Sequence, residues 1–484
     1  MNFFINQAMG IGNSGVEHAQ FYRADRFDQA GLPYRYVFLN FVPELHKAIA
    51  HWQLREEQVL NLWEYLVLGD EYLKTGLKNR RPAGENELIV DRTNTHRKRE
   101  SVTESGIRFV EHMVKGPDKH DPDNKILQVS RYRVELFNAD TDERKVMYEV
   151  IDDPHLKAVV RNIHLFNQDG EHLFFRTLNG LHRFFFEKLD AAFGHQSTFI
   201  IDRGEYADDV LMQNRIPNSK IVYIVHADQL ANRDDPKYPL WNDHYEYMLE
   251  HIDAVNAVVT ATKRQREDIL VDFPDAGDKV VAIPVGGVRD QSASVDAGVA
   301  MHTPIRFITA SRLAAEKHVD IAVKAVAKLH EERGVDVVFD IYGQGEKKVE
   351  IEQAIKDANA ESYITMKGLS NDLEHIYPDY DAFISTSFSE GFGLTYIEAL
   401  NAALPVVTFD ARFGAQELVQ DGFNGFLQPL KREDESFNIE QIETGLERLL
   451  DADYGQLKQN TQTSVEAFQD HVTAAKWEEL LNAL

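Results

Sequence analysis

Two glutamates around a glycine-containing loop have the types and spacing best suited to chemistry in this sequence. Glu390 and Glu398 lie in the run FSEGFGLTYIEAL, with Gly391 and Gly393 between them. Glycine lets a backbone approach a ligand, and a helix start offers free N–H groups to a phosphate. We predict a strand before Glu390 and a helix after Gly393, with Glu398 in its first turn. Carboxylates placed this way can bind hydroxyl-rich groups on either side of a diphosphate.

Two cations form a second cluster in the run ITASRLAAEKHVDIAV. Arg312 follows a predicted strand end, and Lys317 comes five residues later, just before a predicted helix. Ligands of open α/β sheets lie beyond the carboxyl ends of the strands, where such cations would neutralise a diphosphate. Arg and Lys near a helix start are more often surface charges. The pair therefore indicates a diphosphate site only in combination with Glu390 and Glu398.

Two further candidates are weaker when taken alone. A glycine-containing loop, MGIGNSGVEHAQ, follows the first predicted strand, and Gly15 in it can bring backbone N–H groups to a phosphate. A lone glycine-rich loop is weak evidence of nucleotide binding. His226, in YIVHADQ, ends a predicted buried strand and could contact a sugar hydroxyl. A histidine satisfied within the core is the commoner case.

The elements that must position these residues are of two kinds. Strand and helix patterns alternate at both ends of the chain, which predicts parallel α/β sheets. Between them, short strand-type runs from NELIVDRTNTH to HRFFFEKL predict an antiparallel meander. A polar segment at 289–303 is typical of a linker. The predicted N-terminal Rossmann-like domain has two parts (1–75 and 191–302), with a β-rich insertion between them (76–190). A C-terminal Rossmann-like domain (303–465) and a C-terminal helix (466–484) follow.

Composition and charge exclude several classes of protein. The formal charge of −27 argues against nucleic acid as a partner, because polyanions are bound by Lys and Arg. Residues 76–190 are the exception, with 20 Lys and Arg against 20 Asp and Glu. No cysteine is present, which excludes disulfides. The sequence has neither a signal-type start nor an apolar run long enough for a membrane span, so we expect a cytoplasmic protein.

The motifs resemble those of a known enzyme family. Glu390 and Glu398 match the E-x7-E motif of retaining nucleotide-sugar transferases with the GT-B fold, glycosyltransferase family 4. SRLAAEK resembles the S/G-R-L-x-x-x-K phosphate motif of that family, and YGQGE its G-x-G turn. GIGNSGVEHAQFYRA, followed by a β-rich insertion, resembles the GtfA/TarM-like subgroup. The resemblance implies an α/β GT-B fold of two Rossmann-like domains, with the donor between them and the insertion in the N-terminal domain.

The resemblance also implies roles for individual residues. Glu390 would hold the sugar and Glu398 the ribose, while Arg312 and Lys317 would bind the diphosphate. His226 would face the sugar, so that Glu390, His226 and Lys317 form the predicted catalytic set. The remaining predicted donor-binding residues are Gly15 near the diphosphate, Leu369 near the base, and Gly391, Phe392, Gly393, Leu394 and Thr395 around the pocket. No metal and no cofactor other than the UDP-sugar are expected.

The predicted reaction is retaining transfer of GlcNAc, or of glucose, from a UDP-sugar to Ser or Thr of a serine-rich-repeat adhesin of an accessory Sec system. One alternative is a wall-teichoic-acid α-glycosyltransferase with a polyol-phosphate acceptor; KNRR (78–81) and HRKR (96–99) keep it open against the negative net charge. Another is a non-catalytic, substrate-binding co-chaperone. The predicted partners are the acceptor protein and a homologous non-catalytic subunit, or a homo-oligomer formed through the insertion. Peripheral association with the inner membrane face is a further expectation.

Overall fold

The computed structural model describes residues 1–484 except 13–14, 85–86, 119–125, 154–156, 205–206, 233–237 and 290–299. Most of the predicted linker at 289–303 therefore lies outside the described residues. Contacts divide the chain into two compact units. The first unit comprises Met1–His18, Leu32–Ile224 and Asp243–Asn256, and the second comprises Ala19–Gly31, Val225–Asn242 and Ala257–Leu484.

The N-terminal region alternates strands and helices, as its sequence pattern predicts. Its elements are β1 (Asn2–Asn6), α1 (Gly15–Gln29), β2 (Tyr34–Phe38), α2 (Leu45–His51), β3 (Val59–Asn61), α3 (Leu62–Leu68) and α4 (Asp70–Thr75). The apolar spacing of residues 55–74 predicts one helical stretch, and this prediction is wrong. A strand occupies its first part because Val59 and Leu60 pair with β2, and Gly69, with φ +86°, separates α3 from α4.

The segment that follows forms an antiparallel meander of seven strands, as predicted. The strands are β4 (Glu87–Val90), β5 (His96–Val102), β6 (Ile107–Pro117), β7 (Leu127–Asn138), β8 (Arg144–Asp153), β9 (Lys157–Gln168) and β10 (Glu171–Thr177). Each strand pairs with its neighbour in sequence, in the order β10-β9-β8-β7-β6-β5-β4. Consecutive pairing needs only short connections, which is why turn-like segments separate the runs.

One predicted strand of this segment is wrong. HRFFFEKL lies within a helix, α5 (Leu178–Ala192), and not in the sheet. Its buried residues Leu181, Phe185, Phe186 and Leu189 have helical spacing and form one apolar face. The run of three phenylalanines gave the segment a strand-like composition and hid this periodicity.

The chain then returns to α/β structure. Its elements are β11 (Thr198–Ile201), α6 (Asp208–Gln213), β12 (Lys220–Val225), β13 (Leu230–Asn232), β14 (Leu240–Trp241), α7 (Asp243–Glu250), β15 (Ala257–Thr260), α8 (Lys263–Asp272) and β16 (Val280–Ala282). In the first unit, parallel strands follow the order β12-β11-β1-β2-β3, and their residues are almost all buried. In the second unit, β15 pairs with β16 in parallel.

The rest of the second unit is a doubly wound α/β structure. Its elements are β17 (Ile305–Ala310), α9 (Val319–Arg333), β18 (Val337–Tyr342), α10 (Lys348–Asp357), β19 (Ile364–Gly368), α11 (Leu373–Ile376), β20 (Ala382–Ile384), α12 (Leu394–Asn401), β21 (Val406–Phe409), α13 (Gly414–Leu418), β22 (Gly425–Gln428), α14 (Glu435–Asp451), α15 (Tyr454–Val465) and α16 (Asp470–Ala483). The six strands are parallel, in the order β19-β18-β17-β20-β21-β22. The order reverses beside β17, which is where such sheets bind ligands.

The C-terminal helix α16 packs on the part of α1 that belongs to the second unit. The rings of Phe27 and Trp477 lie 5.5 Å apart between their centroids. The Tyr22 hydroxyl donates to Asp470 at 3.0 Å, and Arg26 forms an ion pair with the same carboxylate. The predicted domain limits stay predictions. No helix in the described part of the chain has the length and apolar character needed to cross a membrane.

Candidate active site

The backbone of Glu390 is fixed at the carboxyl end of the second parallel sheet. The Glu390 N–H donates to the carbonyl oxygen of Arg412 at 2.7 Å. The Glu390 carbonyl accepts from the N–H groups of Phe413 and Gly414 at 2.6 and 2.9 Å. These three bonds join the loops that follow β20 and β21, the two strands nearest to the reversal of strand order on that side. The position of Glu390 is therefore set by main-chain geometry.

The side chain of Glu390 is held by a cation from another loop. Lys317 Nζ forms an ion pair with Glu390 Oε1, and Ser387 Oγ donates to the same oxygen at 3.0 Å. The Lys317 and Glu390 side chains are 14% and 17% exposed, so a ligand can reach both groups. Among the described residues, Oε2 of Glu390 accepts no hydrogen bond. The structure thus brings the two predicted clusters together and leaves one carboxylate oxygen available.

The Lys317 loop is shaped by close packing against the YGQGE turn. An added Cβ on Gly343 would lie 1.9 Å from the carbonyl oxygen of Ser311, which leaves room only for glycine. The end of the loop is tied down by Thr386, whose hydroxyl is 3.0 Å from the carbonyl oxygen of Lys317. Arg312, in the same loop, is 68% exposed and pairs with Glu316 at 2.7 Å. The loop therefore orders Lys317 tightly and presents Arg312 to solvent.

Gly391 brings His226 to the Glu390 loop. A Cβ added at Gly391 would lie 2.5 Å from the carbonyl oxygen of His226 and 3.5 Å from the Cα of Ala227. Any larger residue at 391 would have to push this backbone away. The residue after strand β12 and the residue after Glu390 are thus in main-chain contact. His226 itself is half-buried.

Glu398 lies on α12, one residue beyond its first turn. Gly393, with φ +86°, precedes the helix, so Leu394 is its first residue and Glu398 its fifth. The prediction of Glu398 in the first turn is therefore wrong by one residue. Glu398 is exposed to solvent, yet the surrounding protein desolvates its carboxylate and raises its pKa to about 7, against the opposing effect of a 3.5 Å hydrogen bond from Tyr377.

The other predicted pocket residues differ in what they can offer a ligand. Phe392 is 3% exposed and packs near Phe468, so only its backbone is available. Leu394 and Thr395 open α12 and are half-buried. Leu369 follows β19 and is 50% exposed, a suitable platform for a planar base.

Gly15 is the first residue of α1 and belongs to the first unit, so its place relative to the other site residues is left as predicted. The glycines of GIGNSG do have the G-x-G-x-x-G spacing of dinucleotide-binding loops. In that fingerprint an acidic residue at the end of the second strand binds a ribose hydroxyl. Here β2 is followed by Leu39 and Asn40, neither of which is acidic. The loop thus fits a phosphate better than a whole dinucleotide.

The sequence did not single out three residues that the structure places around Glu390: Ser387, Arg412 and Gly414. Arg412 and Gly414 follow the predicted strand PVVTFD, and the carboxyl end of that strand was the available signal. A Cβ on Gly414 would lie 1.9 Å from the carbonyl oxygen of Phe392, so this position also requires glycine. Within the described residues, no group of three or more His, Asp or Glu side chains is arranged to hold a metal ion.

Comparison with known proteins defines the class of this fold and site. Residues 290–463 match the family described as Glycosyl transferases group 1. The fold is similar to that in the crystal structure of a GtfA/B complex, with a TM-score of 0.76, 24% sequence identity and coverage of 100% of this chain and 99% of that one. The chain therefore carries a group 1 glycosyltransferase domain in a GT-B fold, and the predicted fold class is confirmed.

Two curated relatives define the subgroup. The chain is 27% identical over 510 residues to the UDP-N-acetylglucosamine--peptide N-acetylglucosaminyltransferase GtfA subunit of Streptococcus gordonii, with 99% of this chain and 97% of that protein covered. It is 26% identical over 381 residues to a poly(ribitol-phosphate) alpha-N-acetylglucosaminyltransferase of Staphylococcus aureus (strain COL), with 75% and 70% covered. The chain is thus similar to glycosyltransferases of the GtfA/TarM-like group, as its motifs predict.

Proposed function

We propose that this chain transfers GlcNAc from UDP-GlcNAc to serine or threonine of a serine-rich-repeat adhesin, with retention at the anomeric carbon. The observation that carries the proposal is the ion pair between Lys317 and Glu390, next to the contact of Gly391 with the His226 carbonyl. A cation, a carboxylate with an oxygen to spare and a strand-end histidine meet at the carboxyl edge of a parallel sheet. The relative named after a UDP-GlcNAc donor and a peptide acceptor supports the choice of substrates.

In this proposal the chain's own groups position the donor and neutralise its leaving group. Oε2 of Glu390 accepts a hydrogen bond from a sugar hydroxyl, and Glu398 accepts from the ribose hydroxyls. Lys317 and Arg312 balance the diphosphate, with backbone N–H groups of Gly15 and of the loop from Gly391 to Thr395 beside it, and Leu369 meets the base.

The acceptor oxygen attacks the anomeric carbon on the face from which UDP departs. The bond from that carbon to the phosphate oxygen breaks, and the departing oxygen takes the acceptor proton. His226 faces the sugar and steadies the charge that develops on it. Because Lys317 already supplies the positive charge, the reaction needs no metal ion, and we expect full activity in excess EDTA.

The decisive experiment is a donor panel with a serine-rich acceptor peptide. UDP-GlcNAc, UDP-glucose and UDP-galactose would each be incubated with the purified chain, with and without the peptide. We expect peptide-dependent release of UDP that is largest with UDP-GlcNAc, and an α-linked product by NMR. Faster turnover with UDP-glucose would revise the donor. The absence of both transfer and UDP-sugar hydrolysis would instead favour a non-catalytic, substrate-binding co-chaperone.

A polyol-phosphate acceptor is the second candidate, because the antiparallel sheet carries a basic feature. A cavity of about 450 Å³ on β4–β9 is lined by Arg97, Arg99 and Arg131, and also by Glu111 and Asp152. Glu111 already binds Arg131 at 2.8 Å. The remaining net charge of about +1 is small for a polyanion site, where several phosphates must each be neutralised. Transfer to poly(ribitol phosphate) in place of the peptide would establish this alternative.

We further propose that the chain works with a homologous, non-catalytic partner subunit on the cytoplasmic side, at the inner membrane face. The similar fold in a GtfA/B complex supports a partner, and the exposed apolar residues of the antiparallel sheet, such as Leu127 and Phe174, are available for contact. Co-purification tests the partner, and a homo-oligomer by light scattering would replace it. Sedimentation with anionic vesicles tests the membrane association.

A further inference from the structure

Arg412 links the two loops that carry Glu390 and His226. It follows β21 in the run DARFGAQEL, and its main chain and side chain reach in different directions. We propose that Arg412 is a positioning residue for the transfer reaction, which holds the His226 loop in register with Glu390. The inference rests on the proposed function for its kinetic consequences, although its structural consequences can be measured without any activity.

The main chain of Arg412 contributes to the placement of Glu390. Its carbonyl oxygen accepts the Glu390 N–H at 2.7 Å, and the N–H of Phe413 returns a bond to the Glu390 carbonyl. These bonds do not depend on the side chain at position 412. A substitution there therefore leaves Glu390 in place, which separates the two functions of the residue.

The guanidinium of Arg412 lies between two acidic residues. Nη2 of Arg412 is 2.7 Å from Oδ2 of Asp268 and 3.7 Å from Oδ1 of Asp228. Asp268 lies on α8, and Asp228 lies two residues after His226. The Arg412, Asp268 and Asp228 side chains are 33%, 22% and 25% exposed, so this ion network is partly shielded from water. The guanidinium stacks on the Phe413 ring, 4.5 Å from its centroid.

Helix α8 also holds the His226 loop. The buried Gln265 donates from Nε2 to the carbonyl oxygen of Ala227 at 2.7 Å, and Gln229 donates to the same Asp268 oxygen that Arg412 binds. The loop is thus held by α8 in addition to its contact with Gly391. Arg412 is bonded through its side chain to Asp268 of α8 and through its backbone to Glu390.

The charges explain why a cation is needed at this position. Burial raises the pKa of Asp228, and the neighbouring Asp268 carboxylate adds to the effect, while Arg412 works in the opposite direction. Without the guanidinium, two acidic side chains would face each other in a partly desolvated space. The Asp228 side of the loop would then move away from α8, and the His226 backbone would move with it. A displacement of about 1 Å at a reacting group is enough to cost about 100-fold in rate.

The test is a kinetic and binding comparison of Arg412→Met, Arg412→Lys and Asp268→Asn with the wild type. We expect Arg412→Met to lower kcat about 30-fold, with the Kd for UDP changed less than twofold because the Glu390 backbone bonds remain. Arg412→Lys should recover part of kcat, since an ammonium can reach one carboxylate. Asp268→Asn should lower kcat similarly, and the double variant Arg412→Met/Asp268→Asn should be no slower than Arg412→Met alone.

Arg448→Met is the matched control. Arg448 binds Asp421 at 2.9 Å through both terminal nitrogens and stacks on Phe426 at 4.7 Å, which is the same chemistry outside the site. It should leave kcat unchanged. An equal loss of kcat in both Arg variants, or a parallel loss of UDP affinity in Arg412→Met, would overturn the positioning role.

Hydrogen exchange decides the inference even if the wild type proves inactive on the donor panel. In Arg412→Met, amides of residues 225–230 should exchange at least tenfold faster, while those of residues 388–393 remain as in the wild type. Unchanged protection at 225–230 would overturn the inference. A wild type that transfers no sugar, combined with the expected exchange pattern, would overturn the proposed function alone.

Discussion

Two clusters of a cation with carboxylates, one in each unit, show how a candidate site differs from a structural core. In the second unit, Lys317 and Glu390 pair through a single carboxylate oxygen. In the first unit, His46 binds Glu56 through Nδ1 at 2.8 Å and Glu64 through Nε2 at 2.7 Å. Both clusters remove charged groups from bulk water. Only the first lies on loops at the carboxyl ends of parallel strands.

The clusters differ most in how accessible their polar atoms are to solvent. The second oxygen of Glu64 accepts from the Tyr72 hydroxyl at 2.6 Å, and that hydroxyl accepts from the Asn61 N–H at 2.9 Å. The His46 side chain is only 3% exposed. Oε2 of Glu390, by contrast, accepts no hydrogen bond from the described residues. Glu56 Oε1 in the His46 cluster also accepts no hydrogen bond from the described residues, but that atom is buried. A cluster closed off from solvent stabilises a fold, whereas one with an accessible acceptor can bind a ligand.

The largest expected effect is the loss of transfer when the Lys317–Glu390 pair is removed. Lys317→Ala and Glu390→Ala should each lower kcat about 1000-fold, because each deletes a charge directed at the donor. The fold should persist, with circular dichroism unchanged, since both side chains are partly exposed to solvent. Lys328→Ala is the control, because Lys328 pairs with Glu443 at 2.7 Å outside these loops. Full activity in Lys317→Ala or Glu390→Ala would contradict the assignment of the site.

The His46 cluster should show the reverse behaviour. Burial by itself lowers the pKa of His46, but the hydrogen bonds with Glu56 and Glu64 together raise it to about 9, above an ordinary value of about 6.5. Its contribution to folding is therefore complete below about pH 6.5 and is lost as the pH rises through 9. Linkage puts this contribution at about 3 kcal/mol. The free energy of unfolding, measured with urea at pH 7 and pH 10, should fall by that amount.

His46→Gln should remove most of this pH dependence and leave kcat per folded molecule unchanged. The surface pair of His375 with Asp372, 78% and 68% exposed, provides the matched control His375→Gln. Exposed pairs contribute less than about 1 kcal/mol, so this control should be near neutral. A change in kcat in His46→Gln would contradict a purely structural role for the His46 cluster.

The third prediction concerns the contact that brings His226 to Glu390. Gly391→Ala should lower kcat about 100-fold, because the added Cβ must displace the His226 carbonyl from 2.5 Å. Gly277→Ala is the control: no atom lies within 4 Å of its added Cβ, and its φ is −54°. Steady-state kinetics and a thermal melt of both variants separate a local displacement from a general loss of stability. Near-normal kcat in Gly391→Ala would mean that the loop contact is not needed for transfer.

The sequence allowed the site to be predicted better than the elements around it. Glu390 and Lys317 come from separate strand ends, and the rule that parallel strands present ligands at their carboxyl edge was enough to bring them together. The helical HRFFFEKL segment was missed because aromatic composition outweighed periodicity. Arg412 was missed for another reason. Its role depends on Asp268 and Asp228, which are distant in sequence, and no local pattern indicates a contact made across the fold.

The smallest expected effect tests whether the Glu398 carboxylate, like that of Glu390, is accessible to a ligand. Desolvation raises its pKa to about 7, so the group is largely protonated at pH 6 and largely ionised at pH 8. An ionised carboxylate is the stronger acceptor for ribose hydroxyls. Affinity for UDP, measured by calorimetry, should therefore be about tenfold weaker at pH 6 than at pH 8, a range set by one group titrating near 7. Glu398→Gln should bind UDP weakly and lose this pH dependence. Glu374→Gln, on the neighbouring helix α11, should retain it at a lower pH, because the Glu374 charge helps to raise the pKa of Glu398. A pH profile that is flat in the wild type would place Glu398 outside the ribose contacts and reduce the available acceptors to Glu390 alone.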